Sequence, residues 1–114
     1  MTKETSVTVR TRGDVSIIDI KGDVTAQTGA PIEETYQKVT AGGATKLLLC
    51  FDKDSYINSG GIAVLIGIVS EGRKQGQVIR MTGLSAHFRK IFDMVGLTRY
   101  AQVFQSEETA LEKF

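Results

Sequence analysis

Five consecutive apolar residues, Leu47–Leu48–Leu49–Cys50–Phe51, stand between Lys46 and Asp52. Successive side chains of a strand point to opposite faces, so this run is buried only where both faces of a sheet are covered. The chain therefore needs an internal strand in a layered domain. Its 114 residues suffice for one, because a chain of this size can bury about two-thirds of its unfolded surface without disulfides or a structural metal. We read residues 1–114 as a single domain.

The pattern on either side agrees. Val7 and Val9, then Val15, Ile17, Ile18 and Ile20, form two runs joined by Arg12–Gly13–Asp14, which predicts a β-hairpin with a tight turn. After Gly22–Asp23 a helix is expected to enter through Thr28, Gly29 and Pro31, carry Ile32, Tyr36 and Val39 on one face, and stop at Gly42–Gly43. A second helix is expected from near Ser59, with Ile62, Leu65, Ile66 and Val69 on its buried stripe and Gly72 to Gly76 closing it. Gln77 to Met81 reads as a strand. Ser85 to Val95 reads as a helix, ended by Gly96 in the manner of a left-handed cap followed by apolar Leu97. A strand at Ala101 to Phe104 and a terminal helix capped at Ser106 complete the order ββαβαβαβα. Strands alternating with helices predict an α/β fold, a mixed sheet with helices packed against it.

Several chemistries lack their residues. Fourteen basic and 13 acidic residues leave a net charge of +1, so no strong field draws the chain to nucleic acid or an anionic membrane. The lone Cys50 forms no internal disulfide, which suits a reducing cytoplasm, and its apolar strand suits an inert thiol. His87 has no second histidine with which to share a metal and reads as a surface residue. Gly42–Gly43–Ala44–Thr45–Lys46 precedes a strand where a phosphate loop needs a helix. Asp52–Lys53–Asp54 opens like a calcium loop, but Tyr56 and Ile57 replace a ligand and the glycine, and Ala63 stands at the twelfth position. Met1 to Asp14 is polar, without a signal-peptide core, and the apolar run from Ile62 to Val69 is too short to span a bilayer. We expect a cytoplasmic non-enzyme without a cofactor.

One segment breaks local rules. In Ile57–Asn58–Ser59–Gly60–Gly61, Asn58 or Ser59 can cap a helix whose first turn then holds two glycines, each costing about 1 kcal/mol against alanine. The glycines either leave amides bare for an anion, such as a phosphate on the serine, or let the helix approach a neighbour closely. Ile57 is expected to tuck inward.

With the strand before it and Ile62–Ala63–Val64–Leu65 after it, this segment resembles the STAS domain of bacterial anti-sigma factor antagonists. Ile20–Lys21–Gly22–Asp23–Val24 is similar to that family's turn after the second strand. Ile91–Phe92–Asp93–Met94–Val95–Gly96–Leu97 and Phe104–Gln105–Ser106–Glu107–Glu108–Thr109–Ala110–Leu111 resemble its last third. The resemblance implies a protein that binds an anti-sigma factor, usually a GHKL-type serine kinase, and frees a sigma factor. It implies phosphorylation at Ser59, reversed by a metal-dependent serine phosphatase, and a partner surface near Gly22, Asp23, Thr25, Asn58, Ser59, Gly60 and Gly61. Free antagonist is expected to be monomeric. Two positions depart from the family: Asn58 replaces the acidic residue before the acceptor, and Thr25 replaces one three positions after the turn glycine. A phosphorylation-independent scaffold with Ser59 as a helix cap, and a small-ligand or nucleotide sensor, are the alternative readings.

Overall fold

The computed structural model describes residues 5–114. Strands β1 (Ser6–Arg12) and β2 (Val15–Lys21) form the hairpin, and helix α1 (Ala26–Ala41) leads to β3 (Lys46–Phe51). Helix α2 (Ser59–Lys74) leads to β4 (Val78–Thr82). Helix α3 (Ala86–Met94) and a 3-10 turn (Leu97–Arg99) lead to β5 (Ala101–Phe104), followed by α4 (Glu107–Leu111). The sheet order is β1-β2-β3-β4-β5. The hairpin is antiparallel, with Arg12 opposite Val15, and each later neighbouring pair is parallel. The α/β fold and the element order expected from the sequence are those observed.

β3 is the middle strand, and its alternation divides the core. Leu47, Leu49 and Phe51 join Ile18, Ile20, Ile79 and Met81 beneath α1, α2 and α3, packed on Ile32, Tyr36, Leu65, Ile68 and Phe92. Leu48 points to the opposite face with Val15, Ile17 and Ala110, flanked by Cys50, Phe104, Leu111 and Phe114. Three helices cover one face. The five-residue α4 and the chain end cover the other.

Two expectations are corrected. Helix α1 begins at Ala26, a turn earlier than Pro31 suggested, because Thr25 and Thr28 form a capping box. The Thr28 amide donates to Thr25 Oγ1 at 3.2 Å and the Thr25 amide to Thr28 Oγ1 at 2.8 Å. Reciprocal capping satisfies two orphan donors, and Pro31 is left inside the helix. Helix α2 buries Gly61, Leu65, Ile68, Val69 and Gly72, while Ile66, expected inside, is 43% exposed. Glycines set this roll. A Cβ on Gly61 would collide with the Val24 carbonyl, one on Gly72 with Ile79, and Gly29 of α1 accepts Val64 in the same way. Gly96, at φ +84°, makes the expected left-handed cap, and Leu97 is buried after it.

The second face is closed largely by charged groups. Arg80 Nη1 donates to the carbonyls of Ala110 (2.9 Å) and Glu112 (2.8 Å), and Nη2 to that of Lys113 (2.9 Å). Its guanidinium lies 5.0 Å from the Phe104 ring centroid and 4.4 Å from that of Phe114. Arg80 thereby serves the free carbonyls at the end of α4. At the other end of α4, Arg10 pairs with Glu107 and Asp19, each at 2.6 Å. The hydrogen bond from Arg10 holds the Glu107 carboxyl below the usual glutamate range.

Arg80→Ala should cost about 2 kcal/mol in urea unfolding and speed amide exchange over 107–114, because charged hydrogen bonds to otherwise orphaned carbonyls are lost. Glu107 stabilises the fold in its charged form. Its contribution is complete above the ordinary glutamate range and is lost as pH falls through the lowered folded value. Glu107→Gln should therefore flatten the acid side of the stability profile below that range and destabilise at neutral pH.

Candidate functional site

The turn after β2 and the loop before α2 are zipped together. Val24 donates its amide to the Tyr56 carbonyl at 2.8 Å, and Asn58 donates to the Val24 carbonyl at 3.1 Å. Val24 and Ile57 form a parallel bridge and are both buried, so Ile57 tucks inward as expected. Gly22, at φ +95°, lets the chain leave β2 sharply enough to make this contact. Asp23 braces it: its Oδ1 accepts from the Tyr56 amide at 3.2 Å and its carbonyl from Thr28 Oγ1 at 2.9 Å.

The zipper brings the starts of α1 and α2 side by side. A Cβ on Gly60 would lie 2.9 Å from Ala26 Cβ and 3.0 Å from the Ala26 amide nitrogen. Neither helix has an acidic residue in its first turn. Two positive dipole ends therefore converge without an adjoining first-turn carboxylate, and they favour negative charge there.

Asn58 is the N-cap of α2. Its Oδ1 accepts from the Gly61 amide at 2.9 Å, and its carbonyl accepts from the Ile62 amide at 2.9 Å. The Gly61 amide is thus not bare, and the glycines serve close approach. Ser59 is the first helical residue, exposed, and its hydroxyl makes no hydrogen bond to the described residues. Among the described residues neither a histidine nor a carboxylate is bonded to that hydroxyl, the arrangement that would activate a serine nucleophile. Of the other residues singled out from the sequence, Asp23, Thr25, Asn58 and Gly60 are half-buried beside it. Gly22 and Gly61 are buried and shape the backbone from beneath.

The sequence reading passed over Tyr56. It is 55% exposed, next to the turn into α2, with its ring edge-on to Phe88 at 6.1 Å between centroids. Its signal was the alternation with Ile57: once Ile57 turns inward, its extended neighbour faces out. His87 lies on the surface against Phe88, at 4.9 Å between ring centroids. Cys50 lies away from this site under Glu107, its thiol pushed up to about 12 by burial, then by the charges of Asp19 and Glu107. It is a protonated packing group at neutral pH. Among the described residues no cluster of three or more His, Cys, Asp or Glu side chains could hold a metal ion, and no helix is long and apolar enough to cross a membrane.

The division of labour between Asn58 and Ser59 can be measured. Asn58→Ala should lose about 1 kcal/mol in chemical denaturation, as for a deleted cap. Ser59→Ala should stay within about 0.5 kcal/mol of the parent, as for an unbonded surface side chain. Equal losses would show that both residues cap the helix.

The sequence matches the STAS domain family over residues 6–110. It is 24% identical over 95 residues to the anti-sigma-B factor antagonist of Bacillus subtilis, covering 83% of this chain and 86% of that protein. The fold superposes on the crystal structure of an anti-sigma factor antagonist from Mycobacterium paratuberculosis with a TM-score of 0.81 at 16% identity, over 95% of this chain and 92% of that one. It also superposes on the Bacillus cell fate determinant SpoIIAA in its phosphorylated form, with a TM-score of 0.67 at 17% identity over 91% and 96% of the two chains. Given a match that runs from the first strand to the last helix, the chain belongs to the STAS domain family.

Proposed function

We propose that the protein is an anti-sigma factor antagonist whose partner binding is switched by phosphorylation of Ser59. The observation that carries this reading is the free, exposed Ser59 hydroxyl on a helix start whose capping is done by Asn58. A phosphoryl group can be added there without removing the cap, and the paired helix N-termini stabilise the dianion in place. Its charge then acts outward, against a partner that docks over Asp23, Thr25, Asn58, Ser59 and Gly60. The partner is an anti-sigma factor, a GHKL-type serine kinase that supplies the phosphoryl group from ATP, and a metal-dependent phosphatase resets the switch. The antagonist is itself a substrate and a ligand, acts in the cytoplasm, is monomeric when free and needs no cofactor. Kinship with antagonists of sigma-factor regulators supports this reading. The scaffold alternative took Ser59 as the helix cap, a role that Asn58 fills.

The decisive experiment titrates the cognate kinase with three forms of the antagonist by calorimetry and labels them with radioactive ATP. Wild type and Ser59→Ala should bind within about twofold of each other, and Ser59→Asp about a hundredfold more weakly, a difference of about 3 kcal/mol. Only wild type should take up label. Equal binding by all three forms would make the protein a constitutive scaffold.

A further inference from the structure

The outward roll of α2 leaves an unusual surface. From Asn58 to Ser70 the helix carries no charged residue, and its exposed positions are Ser59, Ala63, Ile66, Gly67 and Ser70. A helix face meant for water normally displays charged or strongly polar side chains, so this face resembles one that is covered. Its second half borders a groove of about 170 Å³ against the end of α3 and the turn after it. The apolar lining is Ile66, Val69, Val95, Leu97 and Tyr100. Ile66 is 43%, Val95 46% and Tyr100 52% exposed, and Met94 beside Val95 is 83% exposed. The cavity has room for one large apolar side chain. The exposed apolar surface continues outside it, where a small molecule filling the cavity would leave it wet.

Arg73 is the one charged residue in the lining. Its guanidinium lies 4.2 Å over the Tyr100 ring and has no carboxylate partner among the described residues. Lys74 and Arg99 beside the groove residues are exposed. The nearest acids in sequence have polar partners: Glu71 accepts from Gln75 at 3.1 Å, and Asp93 from Thr98 at 2.6 Å. A second copy whose two-fold axis ran through the groove would bring Arg73, Lys74 and Arg99 of both copies together, which disfavours self-packing there.

We propose that this groove is a second docking surface, which takes an acidic segment of a partner protein anchored by one large aliphatic or aromatic side chain. The anchor fills the cavity, Met94 adapts around it, and a flanking carboxylate pairs with Arg73 on its aromatic platform. Arg73 lies about 21 Å along α2 from Ser59, well beyond the screening length of about 8 Å at physiological salt, so the ion pair is largely insulated from the charge at Ser59.

The test is a methyl and amide NMR titration of the full chain with a six-residue peptide, Leu-Phe flanked by two glutamates on each side. The control peptide has lysines in their place. The acidic peptide should shift Ile66, Val95 and Tyr100 and bind about tenfold more tightly than the basic one. Arg73→Glu should invert that preference, Ile66→Asp should abolish binding with the rest of the spectrum unchanged, and Ser59→Asp should leave it intact. Equal affinity for both peptides, or no shifts in the groove, would overturn the proposal. So would groove signals that move with protein concentration alone, which would assign the face to a second copy. 3-Phenylpropionate binding as tightly as the peptide would make the groove a small-carboxylate pocket instead.

Discussion

The contact of the α2 backbone with the Val24 carbonyl organises the functional end of this molecule. Gly61 makes it possible, since any side chain there would collide with that carbonyl. Val24 and Ile57 close the zipper, and burying both drives it. Once it is closed, the two helix starts must lie together. Asn58 is held in the extended conformation that a cap needs, and Ser59 is carried to the surface. The site is thus a consequence of packing beneath it, and its surface residues do little to hold it in place.

The two faces of the sheet are stabilised by different means. Beneath α1, α2 and α3 the core is aliphatic and aromatic, with Tyr36 and Phe92 among its largest fully buried side chains. The opposite face has only α4 and the chain end over Ile17 and Leu48, and charged side chains help Ala110, Leu111 and Phe114 hold that segment in place. Arg80 binds three terminal carbonyls at once and packs between Phe104 and Phe114. Arginine suits this role because its planar fork donates in several directions and its faces stack on rings. The Arg10–Glu107 pair lies over Cys50, whose thiol is kept protonated by burial first and then by the carboxylates of Asp19 and Glu107, with Arg10 opposing them.

Helix α2 connects structure to function along its whole length. Its inner side is built of Gly61, Leu65, Ile68, Val69 and Gly72 and sets its depth and roll. Its outer side begins with an unbonded hydroxyl over converging dipoles and ends at an apolar groove with a single cation. The physical demands of these two ends differ. In the readings proposed above, charge added at Ser59 would act electrostatically on a partner docked over the helix start, whereas the groove would work through burial of an anchor and one ion pair.

Much of this was legible in the sequence because it is local. Strand alternation, the run from Leu47 to Phe51, the serine cap at Ser106 and the left-handed Gly96 depend on residues a few positions apart, and each is found where its pattern puts it. The start of α1 was misplaced because Pro31 signals a first turn, and the Thr25–Thr28 box, equally local, outweighed it. At the segment from Asn58 to Gly61 the sequence left two residues able to cap and two uses for the glycines. Only the tertiary structure assigned the cap to Asn58, turned Ile66 outward and Ile68 inward, and made Arg80 a clamp on the chain end. Those outcomes depend on contacts that hydrophobic periodicity does not show: the Gly61 backbone against the Val24 carbonyl, Gly72 against the Ile79 side chain, and the Arg80 side chain on the carbonyls that end α4. Hydrophobic periodicity tells a helix which stripe is apolar; the closest backbone approach decides which part of that stripe is buried.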